Sequence, residues 1–307
     1  MIHLPQRFHS VLIASFILTS ILGNAVSNQS MARDLFVSND RGSDSHSGLS
    51  ATSVGGKQGP VRTIGKALQV AKRGDSIHIA NTGVPYQESI SIQNGRNSGV
   101  LGKSFRIIGN GATLDGRKKI SYDQWTAVGN QIFEFKPPRT SFFILYIDDR
   151  PATQVDVPAG ADKLPPLQEL HWCLFKRKVY FKPANDRLPS AFDVSYTHAQ
   201  VGITLFNCQH VVIENLIVQG FQLDGINVHD NVFNAQLLQI KSRGNGRSGI
   251  NVGGASRVQI EACLLGNNGA AQLRTEGHSV TTLKNNDLID TNPLAPAVVS
   301  DGGKIIR

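Results

Sequence analysis

The sequence predicts an all-β chain wound as a parallel β-helix, a solenoid with coils of about 22–24 residues. Three observations predict it. One apolar pattern recurs four times toward the C-terminus, each copy holds short period-two strands separated by turns, and a single short amphipathic helix precedes them.

At the N-terminus Arg7 precedes an apolar run from Val11 to Gly23, thirteen residues and too short to span a bilayer comfortably. Small-x-small sequences place a signal cleavage after Ala25 or after Ala32. The expectation is a signal peptide within residues 1–32 and one β-helix domain over 33–307. The protein is then secreted, periplasmic or displayed at the cell surface, with no membrane span left after signal removal.

The chain carries 31 Lys and Arg against 23 Asp and Glu, a net charge of +8, and loss of Arg7 alone leaves +7. A basic exported protein suits an anionic partner. The cations are scattered rather than gathered in a block, which argues against nucleic acid and leaves anionic polysaccharide as the expected partner. Cys173, Cys208 and Cys263 are odd in number and widely spaced. They form neither a disulfide framework nor a metal-binding CxxC, so they read as small buried hydrophobes, and no metal site is expected from them.

Residues 38–60 are rich in Ser, Gly, Asp and Asn and read as an exposed loop. Ile64, Ala67, Leu68 and Ala71 then recur at helical spacing, and Gly74 follows Lys72 and Arg73, predicting a helix over 63–73 that caps the first coil. The period switches to two at Ile77 and Ile79, Ile90 and Ile92, and Phe105 and Ile107. Residues 121–200 interrupt the pattern with Pro137-Pro138, Pro165-Pro166 and an aromatic hairpin signal, Trp172 to Phe175 against Val179 to Phe181. This segment reads as an insertion or elaborated coils, with Trp172 and Tyr180 packing it onto the helix.

The repeat itself runs Val211-x-Ile213-x-x-Leu216-x-Val218 and then Asp224 to Val228. It returns from Ala235 and Ser248, from Val258 and Gln272, and more weakly from Thr281 and Ala297. From 211 to 235, 258 and 281 the steps are 24, 23 and 23. A fixed step of this size means stacked coils, each too thin to bury its apolar face alone.

These residues resemble the pectin-lyase-like right-handed parallel β-helix proteins. The opening Phe36-Val37-Ser38, the segments Arg62-Thr63-Ile64 and Gly74-Asp75-Ser76-Ile77, and Leu145 to Ala152 in the insertion carry the resemblance over nearly the whole mature chain. It implies fold more than reaction, because such proteins include polysaccharide lyases, glycoside hydrolases, epimerases and others. Leu223-Asp224-Gly225-Ile226 resembles the first motif of polygalacturonase-type hydrolases, but Arg247-Ser248 stands where a second acidic pair belongs. Pectate-lyase-like members bind Ca²⁺ through clustered acids, so Ca²⁺ is the cofactor the resemblance raises.

Alternation along the strands derives a face. With Ile226, Val228, Ile250, Val252, Leu273 and Thr275 inward, stacking aligns Asn227, Asn251 and Arg274 outside, with His229, Gly253 and Glu276 in the next row. Lys241 and Arg243 on the preceding strand are expected to flank it. Lyase chemistry needs the uronate carboxylate neutralised and a base beside the acidic carbon. The assignment is Arg274 as base with Asn227 and His229 assisting, and Asn251, Glu276, Lys241 and Arg243 binding substrate. His171, His198, His210 and His278 lack metal-ligand spacing and read as surface or turn residues. The competing reading is a non-catalytic surface module.

Overall fold

The computed structural model describes Met1, residues 32–289 and 295–307. The expected signal segment, Met1 and Ala32 apart, lies outside the described residues. From Ala32 onward the chain is a right-handed parallel β-helix with three faces.

The first face has eight strands, from Asp34–Val37 and Ser76–Ile79 through Phe105–Ile108, Val211–Glu214, Ala235–Leu238, Arg257–Glu261 and Val280–Lys284 to Lys304–Ile306. The second has five short strands: Thr113–Asp115, Ile217–Gln219, Lys241–Arg243, Leu264–Gly266 and Asp287–Ile289. The third has six: Ile90–Gln93, Ile203–Phe206, Asp224–His229, Ser248–Val252, Ala271–Glu276 and Val298–Asp301. Each full coil visits the faces in that order, and all pairing within them is parallel.

Ile226, Val228, Ile250, Val252, Leu273 and Thr275 all point inward and are fully buried, as alternation requires. Burying one such aliphatic side chain contributes about 1.5–3 kcal/mol, and each stacks on its counterpart one coil away. The corner between the first and second faces is turned by one left-handed residue per coil: Asn215, Gln239, Ala262 and Asn285, with φ of 51°, 52°, 53° and 51°. Asparagine tolerates that region because its side chain bonds locally.

The corner between the second and third faces is held by buried amides. Asn245 donates through its backbone N–H and Nδ2 to Asn268 Oδ1, both at 3.0 Å, and accepts from Phe221 N–H at 3.0 Å. Asn268 in turn donates to Gln272 Oε1 at 2.8 Å. This internal ladder had no signature in the sequence reading, because asparagine near a turn looks like turn chemistry.

The helix spans Ile64–Val70, shorter than the 63–73 the apolar spacing suggested. Thr63 caps it, and Glu88 accepts the free N–H groups of Ile64 and Gly65 at 3.0 and 2.9 Å. It stops early because the Lys72 N–H goes to Asp75 Oδ2 at 2.8 Å. Asp75 also takes the Arg33 backbone N–H, Nε and Nη2 at 3.0, 3.1 and 2.6 Å, fastening the first strand down. That strand, Asp34–Val37, and not the helix, begins the first face. The helix buries Ile64, Ala67 and Leu68 in the coil core.

The chain leaves the coils after the second-face strand Thr113–Asp115 and rejoins them at the third-face strand Ile203–Phe206. In between it forms two small sheets with mostly antiparallel pairing, including the hairpin His171–Phe175 against Lys178–Phe181. Trp172 is 1% exposed, yet it packs within the insertion's own core, its ring 5.4 Å from Phe143, rather than onto the coils. Tyr180 lies in a second small cluster with Phe175. Cys173, Cys208 and Cys263 are buried and free, and burial pushes their thiols up to about 11, about 12 and about 11.

Candidate functional site

The row derived from alternation exists on the outside of the third face. Asn227 pairs with Asn251 and Asn251 with Arg274. Asn251 Nδ2 donates to Asn227 Oδ1 at 3.5 Å and to Glu276 Oε2 at 3.3 Å. Asn251 is 2% exposed, and its Oδ1 has no partner among the described residues.

Arg274 is not free to act on a substrate as a base. Its Nε and Nη2 both donate to Glu276 Oε1 at 3.1 Å, and Nη2 also reaches Asp301 Oδ2 at 2.8 Å. A guanidinium keeps its proton in proteins, so this one is a clamp that holds two carboxylates side by side. The two acceptor oxygens share one nitrogen and so lie no farther apart than the sum of those two bonds.

His229 stands clear of that cluster. It is exposed and stacks on Phe206 of the preceding coil, centroids 6.0 Å apart and planes 24° off parallel. Gly253, between His229 and Glu276 in the stack, carries no side chain and is itself buried, with the Glu276 carboxylate 3.8 Å from where a Cβ would sit. From Phe206 to Glu276 the row climbs three rungs, about 14 Å at about 4.8 Å each. Phe206 and Asp301 were missed from sequence because the repeat was traced from 211 and faded after 281. Phe206 sits 23 residues before His229, so the period itself was the available signal.

Lys241 and Arg243 do not flank this row. They are exposed on the second face, beyond the corner at 244–247. Alternation tells inside from outside but not one outer face from another, and the expected flanking role is corrected accordingly. Asp224, the residue of the hydrolase-like motif, is fully buried and bound by Arg247 Nε and Nη2 at 2.9 and 2.5 Å and by the Ser248 hydroxyl at 2.6 Å. It is a structural ion pair.

The base of the insertion forms a cleft of about 590 Å³ against the second face. Arg117 lies over the Tyr146 ring at 5.1 Å and donates to both Asp115 oxygens and to Asp149. Burial alone would lower the Arg117 pKa, but Asp115 and Asp149 outweigh it and hold the guanidinium above its ordinary value. The Tyr146 hydroxyl donates to the Gly244 carbonyl and ties the insertion to the coil.

Among the described residues no three His, Cys, Asp or Glu side chains gather as a metal site would. Ca²⁺ takes six to eight oxygens, whereas Glu276 and Asp301 are engaged by Arg274, and Asp149 by Arg117.

Residues 184–306 match the family model for the right-handed β-helix region. A solved glycoside hydrolase matches with TM-score 0.59 and 11% identity, covering 82% of this chain and 72% of that one. XylC in complex with xylose matches at TM-score 0.43 and 13% identity, covering 89% and 68%. Pectate lyase Pel9A matches at 0.41 and 12%, covering 90% and 59%. No curated protein matches the chain. At 11% identity the likeness to the glycoside hydrolase is one of architecture alone: a right-handed parallel β-helix.

Proposed function

We propose that this is a carbohydrate-recognising β-helix whose saccharide groove is the outer third face. One observation carries the reading: an exposed Phe206–His229 stack lies on the same face as the Glu276–Arg274–Asp301 cluster, with the side-chain-free Gly253 between them. An aromatic face suits the apolar side of a sugar ring, and fixed carboxylates and amides suit its hydroxyls. The mode is recognition. Arg274 clamps acids here, so elimination with Arg274 as base gains no support from the geometry. The basic charge makes an acidic polysaccharide the expected polymer, met outside the cytoplasm as the N-terminal segment suggests.

The test is calorimetric titration of the protein with neutral, uronate and sulfated oligosaccharides, following in parallel the absorbance of unsaturated uronate products. Binding is expected, with Phe206→Ala weakening it about tenfold, the scale of one lost stacking contact. Glu276→Gln is expected to weaken it less. Repeating the titration with Ca²⁺ and with chelator is expected to change nothing. Affinity indifferent to Phe206→Ala, or no binding by any saccharide, sinks the reading. The latter outcome favours a non-catalytic surface module.

A further inference from the structure

The cleft beneath the insertion has an electrostatic asymmetry that the third face lacks. Its acids are all engaged. Asp115 and Asp149 are held by Arg117, and Asp148 accepts the Asp193 N–H at 3.2 Å. Two of its three arginines keep terminal nitrogens without a protein partner among the described residues. Arg243 spends only Nε, donating to Gln219 Oε1 at 3.0 Å, and the exposed Arg150 side chain makes no hydrogen bond or ion pair with any described residue.

Arg243 is also oriented. Gln219 Nε2 donates to Asp115 Oδ2 at 2.9 Å, so a relay from Asp149 through Arg117, Asp115 and Gln219 ends on the Arg243 guanidinium. A solvated arginine needs no such support. Arg150 enters the same cleft from the opposite wall, on the short hairpin strand Arg150–Pro151 of the insertion. A guanidinium with free Nη groups presents parallel donors that match the two oxygens of an oxyanion.

We propose that this cleft is an oxyanion-binding site in which Arg243 and Arg150 close from two walls on a carboxylate or sulfate group borne by a saccharide. Gln219 is the positioning residue for Arg243. In naming a saccharide the inference rests on the carbohydrate reading above; in naming the charge and the place it does not. It separates two jobs by location, sugar rings to the third face and anionic substituents to the insertion cleft.

The experiment titrates the full chain with three probes: a short oligouronate, the same chain with its carboxylates reduced to alcohols, and a sulfated oligosaccharide of similar length. The charged probes should bind more tightly than the neutral one, with the difference fading as salt is raised. Arg243→Gln and Arg150→Gln should each weaken the charged probes about tenfold and leave the neutral one unchanged. Arg243→Lys should recover part of the loss, and Gln219→Leu should weaken charged binding while leaving its pH profile flat. Both arginines are exposed, so circular dichroism should match the parent protein.

A preference for the uronate over the sulfated chain, or the reverse, identifies the group. Equal binding of charged and neutral probes, or charged binding indifferent to both arginine variants, overturns the cleft proposal and leaves the third-face reading intact. Charged binding lost with Arg243→Gln but unaffected by Phe206→Ala does the opposite. If no probe binds, both fall.

Discussion

Where both partners lie between Ile203 and Ile289, stacked coil residues are 23 or 24 positions apart, as Leu237 lies between Ile213 and Ile260. In the insertion Trp172 faces Phe181, nine positions on, across an antiparallel hairpin. The coil core is mostly aliphatic and continuous from Leu35 to Leu273, whereas the insertion core is rich in aromatic rings and separate from it. The difference teaches where cooperativity should lie. Stacked parallel rungs share one core and pass stability along it, while the insertion holds itself together locally.

The sharpest way to break that comparison is a matched pair of cavities. Phe221→Ala in the coils and Trp172→Ala in the insertion each remove a fully buried ring and should each cost about 3–5 kcal/mol. For Phe221→Ala we expect the whole molecule to melt earlier in calorimetry. For Trp172→Ala the near-ultraviolet signal of the insertion should be lost first, with coil ellipticity persisting to higher temperature. One shared transition in both variants would show the insertion to be part of the coil's cooperative unit.

The start of the coils offers a smaller, pH-dependent effect. Burial would raise the Asp75 carboxyl, but its bonds from Arg33 and Lys72 outweigh this and hold it below its ordinary value. A carboxyl so depressed contributes stability above its unfolded pKa of about 3.9 and loses it as pH falls through the folded value. Asp75→Asn should therefore cost about 2–4 kcal/mol at neutral pH. The gap between variant and parent should close as pH drops below about 4 in denaturant titrations. A gap that persists undiminished at pH 2 would remove the ion pair as its cause.

The smallest effect sharpens the rule of the corners. Ala262 holds a φ of 53° where the preceding coil places Gln239 and the following one Asn285. Ala262→Gly should raise stability by about 0.5–1 kcal/mol, read as a higher melting temperature, because the left-handed conformation costs a side-chain-bearing residue about that much.

The two regions were also unequally legible. Inward positions of the coils repeat because each must fill the same slot, so Val211, Ala235, Val258 and Thr281 announced both the fold and its period. What the period cannot report is direction around the axis. Lys241 and Arg243 are expected beside the row because they lie on the strand just before Asn251, and a corner of four residues turns them onto another face. Pair formation was equally hidden: nothing in the spelling of Arg274 reveals that Glu276 and Asp301 occupy it. Asn245 and Asn268 carried no reading from sequence, although they are buried donors to the backbone and to each other. In the insertion the hairpin was visible from its aromatics, but the partners of those aromatics were not, because no repeat constrains them. Arg150 was part of a recognised segment and still gave no hint that it would face Arg243 across a cleft.

The insertion stands on two glycines. A side chain at Gly116 would sit 2.4 Å from the Phe221 ring, and one at Gly202 would sit 2.7 Å from the same ring. The Gly116 carbonyl accepts the N–H groups of both His198 and Ala199, at 3.2 and 2.9 Å, so the outgoing and returning strands are stitched together at the coil surface. The excursion is thus a graft whose ends already meet. Exchanging it would leave the paired ends in place but would remove the bonds that Tyr146 and Ser141 make to the coils at Gly244 and Gln222. On the saccharide reading proposed above, the coils would set how long a polymer is measured and the graft which chemical decoration is read, two properties free to change at different rates.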